Sequence, residues 1–428
     1  MESGMSDGDE HAMRVGAIMR HRVGGWLPSD QDALEEWLAG FRSRVEQRAE
    51  PAELHPVIAE FQELIATDPV VRMYLEQMIA EVPNRKKYRQ RHLRSVEQML
   101  TLIDEVLTYA PDYDTTALVG TPLNAILDWA MGTPAGFAAF RNDAINAMFK
   151  KILNVWCEFL SGPDSRYVLN DGPTGWKSPA AAEAIDIDQY QHDPNDEYWG
   201  FRSWNDFFTR RFKEGERPVA DPDDDKVIVS ACESTPHAIR TDAKKHDRFW
   251  LKSQPYSLQG MLANDETVDQ FVGGTVYQAF LSALNYHRWH SPVSGTIEKA
   301  FVKDGTYYSD SDIEGEDPAG PNNSQGYLTQ VATRALFFIA ADDPAIGLMC
   351  FMAVWMAEVS SCVIDPTITP GSHVTKGQEL GCFQYGGSTH CLIFRPGVIK
   401  DFTVGAIPQP TNPEAPLVLV CSKIATAR

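Results

Sequence analysis

The chain has 428 residues, 43% of them hydrophobic and 23% charged, with 59 acidic against 38 basic side chains and a formal charge of −21. Such a length predicts two or three domains, and the composition is that of a globular chain rather than a disordered one. The acidic balance excludes duplex nucleic acid and strongly anionic surfaces as general partners.

Seven cysteines without a CxxC pair predict neither a disulfide frame nor a zinc knuckle, and fit a reducing compartment. Nowhere do about 18 apolar residues run together, so no membrane span is expected. The opening MESGMSDGDEHAMR has no apolar signal core and is too acidic for a transit peptide. The expectation is a cytoplasmic protein, with residues 1–25 as a flexible N-terminus.

Residues 26–160 read as a helical domain. After Pro28-Ser29, apolar residues recur at helical spacing in Leu34, Trp37, Leu38, Phe41 and Val45. The pattern returns through Val57–Ile65, Leu75–Val82, Val96–Leu107 and Asn142–Leu160, with Thr67-Asp68-Pro69 and Ala110-Pro111-Asp112 as breaks. Arg85–Arg94 (RKKYRQRHLR) is a local basic run, read as a solvated helix face or a docking patch for phosphate or lipid headgroups. From 161 to 200, Gly, Pro, Asp and Ser dominate, which predicts a linker. A short helix is expected over Ser203–Phe212.

Beyond Pro218 the chain turns β-rich. Strands are predicted at Val227–Ser230, Gly274–Phe280, Gly295–Val302, Leu336–Ala340, Gly347–Val354, Val359–Ile364 and Leu392–Phe394. Gly305–Tyr327 is polar and turn-rich, which predicts a surface loop or lid. The fold class is therefore α+β, a helical N-terminal region followed by a mainly β domain over 201–428.

Chemistry concentrates in three stretches of that β region. NYHRWHSPVSG (285–295) carries His287 and His290, open to acid–base, structural or metal-binding readings. SACES (230–234) places Glu233 after an apolar run, either a surface residue or the orienting carboxylate of a relay. YGGSTH (385–390) puts Gly386, Gly387 and Ser388 between two apolar runs. It is either a tight turn or a strained site where a hydroxyl lies over the preceding carbonyl. It is not the GxSxG elbow of a serine hydrolase, because His390 stands where the second glycine belongs.

Together these stretches resemble the phosphatidylserine decarboxylase family, whose members carry a pyruvoyl group. The likeness rests on SWNDFFTRRFKEGERPV (203–219), YHRWHSPVSGTI (286–297) and KGQELGCFQYGGST (376–389), in the family's order. IATDPVVRMYLEQM (65–78) and GTPAGFAAFR (132–141) resemble the extension of a soluble branch that includes fungal L-tryptophan decarboxylases.

The resemblance implies that the Ser388 hydroxyl attacks the Gly387 carbonyl. Rearrangement to an ester and β-elimination would then part the chain into a β chain, 1–387, and an α chain, 388–428, which stay associated. Ser388 would become the pyruvoyl group, which forms a Schiff base with the substrate amine in place of pyridoxal phosphate. By family position His290 is the base for cleavage, Glu233 orients it where the family usually has aspartate, and His287 is the proton donor in decarboxylation. No metal is expected.

The substrate reading is an aromatic amino acid, tryptophan first, with phosphatidylserine as the alternative. Tyr307, Tyr308 and Tyr327 are candidate pocket walls. A serine hydrolase using Ser388 and His290, or an inactive scaffold, would instead leave the chain uncut.

Overall fold

The computed structural model describes residues 27, 31–47, 53–82, 93–114, 119–247, 256–309, 324–358, 361–409 and 415–428. Its first half is helical: α1 (Gln31–Glu46), α2 (Pro56–Thr67), α3 (Pro69–Ala80), α4 (Val96–Val106), α5 (Pro122–Met131), α6 (Pro134–Ala139) and α7 (Asp143–Ser161). Local chemistry sets several of the starts. Proline occupies the first turn of α2, α3, α5 and α6, where its missing N–H costs nothing. Asp68 Oδ1 caps α3 by accepting from the N–H groups of Val70 (2.8 Å) and Val71 (3.1 Å). Asp68→Ala is expected to lower stability by about 1 kcal/mol, read from the denaturant midpoint.

Periodicity finds α1 to α4 and α7 but misses α5. All of its residues from Pro122 to Met131 are buried, so it has no polar face to create a stripe. The stretch 161–200, expected to be a linker, is folded and packed. It contains α8 (Pro179–Ile185), and its Trp176 ring lies 4.9 Å from that of Trp204, in α9 (Trp204–Phe208). Two more short helices follow, α10 (Leu258–Met261) and α11 (Gln325–Val331).

The β region centres on a seven-stranded antiparallel sheet. Its order is β2 (Thr235–Arg240), β3 (Thr275–Leu281), β11 (Gly387–Phe394), β7 (Leu348–Ala357), β6 (Arg334–Ala341), β5 (Gly295–Lys303) and β9 (His373–Val374). Two three-stranded sheets flank it: β1 (Val227–Val229) with β13 (Lys423–Ala427) and β12 (Ile399–Phe402), and β4 (Arg288–His290) with β10 (Glu379–Phe383) and β8 (Cys362–Ile364).

Alternation of side chains divides the large sheet between two cores. Leu281, Phe351, Ala353, Trp355 and Leu392 join the cluster that also holds the helical region. Phe280, Met352, Val354, Cys391 and Ile393 join a second cluster with Leu258 and Leu328, under α10 and α11. Central strands covered on both faces read as continuous apolar runs, which is why β7 and β11 are buried at nearly every position. Among the described residues, no helix is long and apolar enough to cross a membrane.

Candidate active site

Ser388 lies in β11, opposite Leu281 of β3 and Trp355 of β7. The Gly-Gly-Ser stretch is therefore the start of a central strand and not a loop. The ladder with β7 slips between Gly387, opposite Ala357, and Ser388, opposite Trp355, so that β7 carries an extra residue, Met356, in a bulge across from the bond in question. Gly386, just upstream, has φ of +140°, a backbone region that side-chain-bearing residues avoid. Ser388 is fully buried, and its hydroxyl makes no hydrogen bond. A buried polar atom left unmatched is costly, so a protein keeps one where it has work to do.

His287 precedes β4, with no exposed surface, and its ring stacks on Phe208 at 4.1 Å between centroids. Phe208 in turn meets Tyr385, three residues before Ser388, at 4.9 Å. The His287 carbonyl also accepts from Phe383 N–H at 3.0 Å, tying this histidine to the strand leading toward Ser388. Burial holds its pKa well below the usual imidazole value, and Arg210 adds to the effect.

His290 ends β4, and both its ring nitrogens are engaged. Nδ1 donates to the Gly377 carbonyl (2.7 Å), and Nε2 accepts from the Tyr286 hydroxyl (2.9 Å). Desolvation lowers its pKa, opposed by the Gly377 carbonyl and Glu379. The structure does not join His290 to Ser388 by a hydrogen bond.

Nor does Glu233 touch His290, contrary to the direct orienting contact expected. Its Oε1 accepts from Arg217 Nη2 at 2.7 Å, and its Oε2 from Arg217 Nε at 2.9 Å and from Val420 N–H at 3.2 Å. A fork-shaped guanidinium satisfies a carboxylate better than one imidazole N–H does, and a fixed sequence spacing carries no record of that competition. Arg217 then lies 4.0 Å over the Phe212 ring, which packs at 4.4 Å on Tyr286. Arg217, Phe212 and Tyr286 thus form a packed chain between Glu233 and His290, and the Glu233 charge also opposes the lowering of the His290 pKa.

Tyr307 and Tyr308 come to the helical-side core, Tyr307 packing on Trp355 and Tyr308 on Phe149, each at 4.9 Å. Tyr327 belongs to the opposite core, hydrogen-bonded to Ser309 at 2.9 Å, so it does not share the Ser388 face. Residues 310–323 of the polar loop and 85–92 of the basic run lie outside the described residues. A polar cleft of about 760 Å³, lined in part by Asn205, Arg211, Arg288 and Gln384, opens beside the strand that leads to Ser388.

Two further residues emerge that sequence reasoning missed. His390, two positions beyond Ser388, is fully buried, and burial pushes its pKa down to about 3. Glu358 follows the partner of Gly387 and is 1% exposed. His390 lies in the YGGSTH stretch, but its spacing gives the imidazole no role there beyond breaking the GxSxG pattern, and Glu358 lies in no motif.

The buried histidines have a consequence for pH. A histidine held neutral keeps its full stabilising contribution above 6.5. It loses that contribution as the pH falls toward its lower folded value, because the unfolded chain takes up the proton first. For His390 the loss at pH 5.5 is on the order of 1 kcal/mol. The denaturant midpoint of wild type is expected to drop more between pH 7.5 and 5.5 than that of His390→Asn. Equal drops would mean that His390 is not held neutral.

Two phosphatidylserine decarboxylase family profiles match, one over residues 55–185 and one over 204–409. Decarboxylase iboD of Amanita muscaria is 42% identical over 303 residues, 66% of this chain and 86% of that protein. The chain belongs to the phosphatidylserine decarboxylase family. The L-tryptophan decarboxylase of Psilocybe cubensis is 32% identical over 416 residues, 91% of each chain. Phosphatidylserine decarboxylase proenzyme 3 of Schizosaccharomyces pombe is 32% identical over 199 residues, 46% of this chain and 19% of that protein. This member is a carboxy-lyase with the family's α+β fold.

Proposed function

We propose that the protein cuts itself between Gly387 and Ser388 and then removes CO2 from an aromatic L-amino acid, tryptophan first, giving tryptamine. The observation that carries this reading is the Ser388 hydroxyl, buried and unmatched, across from a bulge and behind a glycine with φ of +140°. A pyruvoyl group formed there fits the surroundings, because the strand partners of Ser388, Leu281 and Trp355, are buried and apolar. That group would supply the electron sink for the pair left by departing CO2.

The chain's own residues do the rest. His290 serves as the base for cleavage, exchanging its Tyr286 hydrogen bond for Ser388. With its pKa held low, the protonated form of His287 is a strong acid, so a proton that it receives while substrate is bound passes readily to the substrate's α-carbon. The two pieces stay together because residues 388–394 remain paired with β3 and β7, and β13 with β1.

The substrate reading is supported by the tryptophan decarboxylase likeness, which extends over nearly the whole chain, helical region included. The likeness to the phosphatidylserine enzyme of fission yeast spans less than half of it. Incubating the processed protein with L-tryptophan and with phosphatidylserine vesicles, and measuring CO2, tests the choice. Release from the vesicles alone would overturn it. His287→Ala is expected to be cut but to turn over at least a hundredfold more slowly, while His290→Ala stays uncut. The reverse pattern would exchange the two roles.

A further inference from the structure

The helical region places one unusual cluster against the site. Glu358 follows β7 at φ of +57°, immediately after Ala357, the residue opposite Gly387. Its Oε1 accepts from Asn124 N–H in the first turn of α5, while Oε2 has no hydrogen-bond partner. Asn124 is 1% exposed, and neither its Oδ1 nor its Nδ2 is matched. The Tyr308 hydroxyl, also buried, is unmatched as well.

These are four buried polar atoms on three residues, in one core and beside one strand end. Their surroundings are aromatic. Phe149 packs on Tyr308 at 4.9 Å, and Trp156 packs on Tyr385 at 5.6 Å. From Ser388 to Glu358 the path is two chain steps and one cross-strand step. The Cα atoms are thus no more than about 13 Å apart, a gap that an amino acid can bridge between two side chains.

We propose that Glu358, Asn124 and Tyr308 form the polar end of the substrate subsite, where they read the ring N–H of an indole amino acid. The inference rests on the aromatic amino-acid reading above and names what distinguishes one ring from another. The substrate's amine and carboxylate belong at Ser388, so its side chain is what reaches a cluster at the far end. Burial raises the Glu358 carboxyl well above its usual range, against the pull of the Asn124 and Leu123 N–H groups, so it is a neutral donor and acceptor. With the Asn124 amide it offers an acceptor for an N–H, and it brings no cation for a phosphodiester. A ring without a polar atom would leave these groups unmatched, and that mismatch discriminates far better than apolar fit does. The helical region thereby has a role in specificity.

The test compares L-tryptophan with 3-benzothienyl-L-alanine, in which sulfur replaces the N–H at nearly the same shape. Wild type is expected to favour tryptophan in kcat/KM by about tenfold to a hundredfold. Glu358→Leu and Asn124→Leu, checked for self-cleavage by mass spectrometry, are expected to bring the ratio below about threefold. Equal use of both compounds by wild type would overturn the proposal, as would cleaved variants that keep the wild-type ratio. Should a variant fail to cleave, the wild-type ratio alone decides. If wild type releases CO2 from neither amino acid but does so from phosphatidylserine, it is the aromatic amino-acid reading itself that fails.

Discussion

Ser388→Ala is expected to give one uncut polypeptide and no detectable CO2 release, whereas wild type yields pieces 1–387 and 388–428. The reasoning is stereochemical. The bond in question sits across from a bulge, behind a glycine at φ of +140°, with one hydroxyl close in the chain and unmatched. Removing that oxygen removes the attacking group and the precursor of the keto group together. The fold should survive, because Ser388 makes no hydrogen bond there and alanine fits any space serine fills. Mass spectrometry of the purified protein decides the matter. A cleaved, active alanine variant would sink the assignment, and an uncut but active wild type would leave no place for it.

Arg217→Ala is expected to destabilise the protein by about 3–5 kcal/mol, because it strands the Glu233 carboxylate, whose side chain is 4% exposed. Its second effect is on maturation. Loss of the guanidinium over Phe212 loosens the packing on Tyr286, whose hydroxyl holds His290 Nε2. Self-cleavage is therefore expected to slow, even in the folded fraction. Glu233→Asp keeps the charge but shortens the reach, so at most one of the two Arg217 bonds survives at full strength. Denaturant midpoints and the time course of cleavage measure the two effects separately. Normal cleavage in a destabilised Arg217→Ala protein would limit the pair to a structural role.

Much of the fold was readable because its signals are local. The Asp68-Pro69 cap, the helical spacing of Val96–Leu107 and the apolar runs of β6 and β7 each depend on a few neighbouring residues. The short strands β4, β10 and β13 were not readable: unlike the all-apolar VIV of β1, their sequences RWH, ELGCF and KIATA mix polar and apolar residues, and partners must supply the hydrogen bonds that define them. The linker expectation for 161–200 failed for a related reason. Glycine and proline mark turns, but turns pack as well as helices do when residues such as Val168, Trp176 and Ile185 are buried among them.

The order of chemical groups along the chain was set by sequence alone: two histidines, then Gly-Gly-Ser near the end, with the apolar strand that carries it. Tertiary structure alone decided their partners. Glu233 found Arg217 and not His290, and Glu358 met Asn124 across 234 positions. A hydrogen bond between distant residues depends on how whole layers pack, and a carboxylate takes whichever donor that packing brings within 3 Å. Local spacing holds no trace of that outcome.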